Sequence, residues 1–166
     1  FRLVNISQIA PGYTTRTIRT RNDEEMAAQD ENSRIFVIFL DDYHVRLENS
    51  MGVRKPILDF LSTQLSPNDL ISVMYPLTPL DAVTLTRNHQ GVMNTVEKFT
   101  GRKFNYEPAN DLERDYVYRY PAETVERIRR QVSLSALRGL SYKLGALREG
   151  RKSIILVSEG YVAMLP

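Results

Sequence analysis

The sequence predicts an α/β domain with three layers: a Rossmann-like, mostly parallel central sheet, one short antiparallel strand, and helices on both faces. Three observations carry this. "IFVIFL" (35–40) and "SIILV" (153–157) are apolar nearly throughout, as in strands covered on both sides. Segments with helical periodicity lie between the strand-like runs. Strands that alternate with helices call for right-handed crossovers and a parallel sheet.

Residues 1–34 read as an N-terminal arm, and 35–166 as the domain. In the arm, "FRLVNI" and "YTTRTIRT" have the β-branched and aromatic content of strands. "RNDEEMAAQDENSR" reads as a short exposed helix or a linker. After "IFVIFL", the residues Val53, Ile57, Leu61 and Leu65, with Phe60, mark one face of a helix, and Pro56 belongs in or near its first turn. "DLISVMY" (69–75) follows the turn "SPND" as a second strand, and the alternating "DAVTLT" (81–86) is the short third. Asn88 is placed to cap a helix through "HQGVMNTVEKF". The polar stretch 100–121, with tyrosines at 106, 116, 118 and 120, reads as a long surface excursion. Leu137, Leu140, Leu144 and Leu147 then form a buried stripe, with Gly150 as helix stop. "SIILVSEG" supplies the last strand, ending at Glu159.

The 166 residues suit one domain with a substantial core. There is no cysteine, which excludes disulfides, thiolate metal sites and cysteine nucleophiles. A net charge of +2 gives no overall electrostatic case for nucleic acid. No apolar run reaches the roughly 20 residues of a membrane-spanning helix. The chain starts at Phe1 and reads as a fragment or a processed product.

In parallel sheets the ligand crevice lies beyond the carboxyl ends of the strands. Asp41, Asp42 and Glu159 stand at such ends, and they are expected to cluster. A nucleotide triphosphatase needs a glycine-rich cradle with a lysine, and none of the eight glycines is so arranged. A phosphoacceptor receiver needs an aspartate after a later strand, where Met74 and Tyr75 stand. A serine hydrolase built on Asp42 and His44 lacks the G-x-S-x-G elbow. The plain structural alternative is that Asp41 and Asp42 cap the next segment and pair with Arg46, Arg54 or Arg87. "RIRR" (127–130) and "REGRK" (148–152) read as basic clusters at helix ends, the second explained by the helix dipole.

The order of "FVIFLDDYHV", "DLISVMYPL", "DAVTLTRN", "VSLSALRGL" and "IILVSEG" resembles von Willebrand factor type A domains, and most closely the related bacterial group with an eroded first motif. The likeness runs from about residue 34 to the end. It implies a domain whose C-terminal strands are truncated, with an insertion at about 100–121. It implies an exported, periplasmic or extracellular setting, and non-enzymatic protein–protein recognition through loops at the carboxyl edge of the sheet. It also implies a metal-ion-dependent adhesion site, here degenerate. Asp41 stands at the first motif aspartate, Tyr43 and Val45 at the serine positions, and Glu159 at the later aspartate. Gln131 falls at the threonine position, with Ser133 two residues on. The metal-ligand candidates are thus Asp41, Asp42 and Glu159, with His44, Gln131 and Ser133 as further donors, for magnesium or manganese and less well for zinc. Tyr43, His44, Tyr106, Tyr116, Tyr118 and Tyr120 are the partner-binding candidates, tyrosine giving large contact area at low entropy cost. An open sheet edge would allow a homo-oligomer. The alternative function is a metal-dependent hydrolase using Asp41, Asp42, His44 and Glu159.

Overall fold

The computed structural model describes residues 18–30, 32–147 and 151–161. The strand-like runs at 1–17 and Gly150 lie outside them. Along the chain come helix α1 (Arg21–Ala28), strand β1 (Ile35–Leu40), helix α2 (Ser50–Thr63), strand β2 (Leu70–Met74), helix α3 (His89–Glu97), helix α4 (Asp111–Val117), helix α5 (Ala122–Gly145) and strand β3 (Lys152–Val157). The three strands form one parallel sheet in the order β2-β1-β3.

β1 is the centre strand, which is why it is apolar at every position. Side chains alternate across a strand, and the core divides accordingly. Ile35, Val37 and Phe39 face a cluster with Leu140 and Leu144 of α5, Ala27 and Ala28 of α1, and Val83 and Leu85. Ile38 and Leu40 face the other cluster, with Ile57 and Leu61 of α2, Val92 and Val96 of α3, and Phe99. Helices therefore cover both faces, as the sequence predicts.

Four expectations need correction. "DAVTLT" forms no strand: residues 80–82 make a 3-10 turn, and only one antiparallel bridge, Ile71 to Thr86, remains. The boundary at 34 cuts through packed structure. Thr20 and Asp23 build a capping box for α1, Ala27 and Ala28 enter the core, and Glu24 accepts the Leu85 N–H at 2.9 Å. Pro56 falls within α2 rather than in its first turn. Its ring lies one turn above the exposed Gly52, whose carbonyl loses a helical partner but can meet solvent. Finally, 100–121 lies largely at the surface as expected but is more than an excursion, because it holds α4 and packs on α5. Asn88 does cap α3, accepting the Gly91 N–H at 3.0 Å.

At the amino ends of β1 and β2, Asp69 acts as a clasp. Its carboxylate accepts from Arg34 Nε at 3.0 Å, from the Arg34 N–H at 3.2 Å and from the Ser66 N–H at 2.6 Å. The side chain is 1% exposed. Burial alone would raise this carboxyl, but the guanidinium and the N–H groups hold it below its ordinary value. Asp69→Ala takes the acceptor from these three donors and from Arg34 Nη2, and is expected to cost about 3 kcal/mol in urea unfolding. Asp59→Ala, which removes only an exposed pair with Lys55, is expected to cost under about 0.5 kcal/mol.

Candidate functional site

The parallel order places the topological switch between β1 and β3, where chain leaves the centre strand in both directions. Asp41 closes that crevice. Its N–H donates to the Val157 carbonyl at 3.0 Å, continuing the pairing of β1 with β3 for one more residue. Its side chain is fully buried, so every lone pair must be met inside. His44 Nδ1 lies 2.8 and 2.9 Å from the two carboxylate oxygens. Ser133 Oγ of α5 donates to Oδ1 at 2.8 Å, and Ser158 Oγ, just after β3, donates to Oδ2 at 3.1 Å. The Tyr161 ring stands edge-on to His44, with centroids 4.6 Å apart. Burial and then the Asp41 carboxylate push its hydroxyl above the ordinary range.

The local backbone explains why Asp41 and His44 meet. Residues 42–44 form a single 3-10 turn closed by the His44 N–H on the Asp41 carbonyl at 3.0 Å. This brings the side chains three residues apart onto one side. A proton on Nδ1 serves the carboxylate whether the imidazole is neutral or charged.

Asp42 points elsewhere. It accepts from Arg102 Nε at 2.9 Å, while the Arg102 N–H donates to the Asp42 carbonyl at 2.7 Å. The other arm of Arg102 forks onto Glu113 of α4, with Nη1 3.0 Å from Oε2 and Nη2 bonded to Oε1. Glu113 also accepts the Tyr43 hydroxyl and the Ala109 N–H, each at 2.7 Å. Burial opposes its charge, but Arg102 and these donors prevail and hold the carboxyl down at about 2. Burial raises the Asp42 carboxyl, against the pull of Arg102. The Tyr43 ring lies between two guanidinium groups, Arg102 at 5.2 Å and Arg129 at 5.0 Å. Arg129 is fully buried, and its Nε and Nη2 have no hydrogen-bond partner. The faces of Tyr43 and Tyr106 stand over it instead.

Gly101 makes this packing possible. A Cβ there would lie 2.2 Å from the Val45 carbonyl oxygen. The turn beyond it holds Phe104 at φ 62°, a left-handed conformation costly for a bulky residue. Arg46 and Lys103 stack over the Phe104 ring.

Glu159 forms a third, separate arrangement. It accepts the Arg46 N–H at 2.8 Å and Asn49 Nδ2 at 2.7 Å, and pairs with Lys103 at 3.1 Å. Burial works against the charge, but these donors leave the carboxyl lowered.

The expected cluster is therefore not present: Asp41, Asp42 and Glu159 each have their own partners. Among the described residues no three acid or histidine side chains gather as a metal-ligand set. The donors present do not fit the octahedral oxygen shell of magnesium or manganese. Neither acid caps the next segment: the 3-10 turn after Asp41 has no side-chain cap. Nor do the arginines named from the sequence serve the pair. Arg46 goes to Glu159, Arg54 to the Phe99 carbonyl and Arg87 to the Asn68 carbonyl. Ser133 reaches Asp41, whereas Gln131 is exposed on the outer face of α5. Tyr43 and His44 are buried, at 0% and 4% exposure, which withdraws them from a partner surface. Tyr106 and Tyr116 are half-buried; Tyr118 and Tyr120 are exposed. The second histidine, His89, donates to the Asp69 carbonyl near the opposite end of the sheet.

Sequence reasoning missed Arg102, Glu113, Arg129, Ser158 and Tyr161. Gly101 was the available signal, because a glycine before two cations in a polar stretch suggests close backbone approach. No signal singles out Glu113 among the acids of its segment. No protein-family model matches the chain, and neither a characterised protein nor a solved structure matches it.

Two measurements check this geometry. Ser133→Ala removes a buried donor to Asp41 and is expected to lower stability by about 1–2 kcal/mol. Gln131→Ala is expected to be neutral in the same urea titration. For Glu113 the folded carboxyl is depressed, so its stabilisation is complete above its ordinary value of 4.5 and is lost as pH falls toward 2. Glu113→Gln is thus expected to cost about 3 kcal/mol near neutral pH. Its difference from wild type should shrink steadily through that acid window.

Proposed function

We propose that the chain is a non-enzymatic protein-recognition module of von Willebrand factor type A kind, working without a resident metal. It meets its partner with the loops at the carboxyl edge of the sheet and with the part of α5 that overhangs that edge. The observation that carries this reading is the saturation of Asp41. A fully buried carboxylate that already accepts from His44, Ser133 and Ser158 offers no open coordination position to a cation shared with a partner. At the carboxyl end of β1, Asp41, Tyr43 and His44 are buried against the protein's own side chains.

Two further observations support the type A likeness. The order of β1, α2, β2, α5 and β3 follows it, although the short antiparallel strand is lacking, and the hydroxyl that reaches Asp41 comes from the long helix preceding β3. The hydrolase alternative draws less support. Its four residues point to three separate sets of partners. The Asp41–His44–Ser133 grouping also lacks the geometry of a nucleophilic triad. Ser133 donates to the carboxylate and lies 3.4 Å from Nδ1, the same nitrogen that faces Asp41. A triad serine needs the far ring nitrogen.

The test combines turnover with thermal unfolding. p-Nitrophenyl phosphate and p-nitrophenyl acetate are offered with magnesium, manganese, zinc or chelator, and the unfolding midpoint is followed in each. No turnover and no metal-dependent midpoint are expected. A cation bound at about 100 times its Kd would add roughly 2.7 kcal/mol, a shift of several degrees. Metal-dependent turnover that disappears in Asp41→Asn would overturn the reading.

A further inference from the structure

Helix α5 runs antiparallel to β1, with Leu140 and Leu144 in the core and Ser133 level with Asp41. Eleven residues separate Ala122 from Ser133, so about 16 Å of helix projects past the carboxyl edge of the sheet. Val125, Arg129, Ser133, Leu140 and Leu144 are buried on its inner side. The outer side carries Arg127, Arg130, Gln131, Leu134, Ser135 and Arg138, which line a shallow depression of about 350 Å³. Gln131 and Ser135 also border a second depression, of about 500 Å³, whose wall includes Pro76, Pro79, Leu80, Val132 and Ala136.

The arginines gathered on this face lack carboxylate partners among the described residues. Arg21, Arg34, Arg46, Arg102, Arg114, Arg119 and Arg129 each have a carboxylate within ion-pair distance. Among the described residues, Arg127 and Arg130 have none, and Arg138 meets only the Tyr142 ring and hydroxyl. In their midst Leu134 is 46% exposed. Three unneutralised guanidinium groups therefore surround an apolar centre, beside a second apolar hollow.

We infer that this outer face of α5, with the adjoining Pro76–Leu80 hollow, is the docking groove for an acidic peptide segment carrying apolar side chains. The inference rests on the recognition reading above and names the chemistry of the partner. Arginine forks bind carboxylates in bidentate fashion. The peptide's apolar residues would cover Leu134 and fill the hollow between Pro79 and Val132. Nucleic acid suits the face less well. Single strands need a run of stacking platforms, and none of the residues that line the two depressions is aromatic. The near-neutral chain also lacks the field that draws a polyanion.

The experiment uses fluorescence anisotropy on the full chain. The probe is a short labelled peptide of glutamates interrupted by two leucines. Its glutamine counterpart and single-stranded oligothymidine serve as competitors. Saturable binding of the acidic peptide is expected, weakened at least about tenfold in Arg127→Glu/Arg130→Glu, weakened less in Leu134→Ser, and unchanged in Arg151→Glu. These side chains are exposed or half-exposed, so the variants should melt like wild type, which circular dichroism checks. Absence of saturable binding overturns the groove, as does equal binding by the double variant or preferential binding of oligothymidine. None of those results touches the recognition reading, which falls only to metal-dependent turnover.

Discussion

The fold turns on one buried carboxylate. Asp41 is fully enclosed, and an enclosed charge is tolerable only when its lone pairs are met with good geometry. Three parts of the chain are fixed by meeting them. The 3-10 turn after β1 is set by His44, the axial position of α5 by Ser133, and the exit of β3 by Ser158. A helix advances about 1.5 Å and rotates about 100° per residue, so a slip of one position would carry the Ser133 hydroxyl out of reach. The bond thus sets the register of α5 against the sheet, and with it how much of the helix overhangs.

The adjacent acid organises a different layer. Asp42 recruits Arg102, which is shared with Glu113, and this joins the strand-end loop to α4. The Tyr43 ring between two guanidinium groups completes the packing. A guanidinium that serves two carboxylates is more fully satisfied than one exposed to water on one side. Segment 100–121 is therefore structural cover over the crevice. Its outer residues are exposed, while Arg102 and Glu113 turn inward and bring their charges to bear on the crevice.

Local periodicity made most of the fold legible. Six apolar residues in a row at 35–40, too few for a helix and rich in β-branched and aromatic side chains, read as a strand covered on both faces, and the leucine stripe of α5 and the Asn88 cap were equally direct. "DAVTLT" misled because alternation describes a half-exposed strand and an irregular segment with Val83 and Leu85 turned inward equally well. The site was legible in position and not in connection. Asp41 was marked by the end of its strand, whereas the count along the helix fell on Gln131, two residues short of the Ser133 that reaches Asp41. What joins Asp42 to Glu113 is a contact across 71 positions by way of Arg102, and no short-range pattern encodes a pairing of that kind. The acids were expected to share one centre because they sit at neighbouring strand ends. Asp41 and Asp42 diverge because the 3-10 turn begins between them.

The proposed recognition at this edge would depend on the surface that remains around the buried Asp41 cluster. The open end of a parallel sheet normally offers a ligand the mouths of its loops. Here the mouth is closed by the Asp41 cluster and roofed by Arg102 and α4. On that side projects half of α5, whose inner residues pack on the crevice while its outer ones face solvent. Arg129 and Arg130 show the division within two positions. The first is buried against aromatic rings with Glu126 3.5 Å away. The second has no acid partner among the described residues and borders the basic depression. An arginine is neutralised within the fold where it is buried, and its neighbour is left unneutralised where it is not, which is the arrangement that the proposed docking of an acidic segment requires.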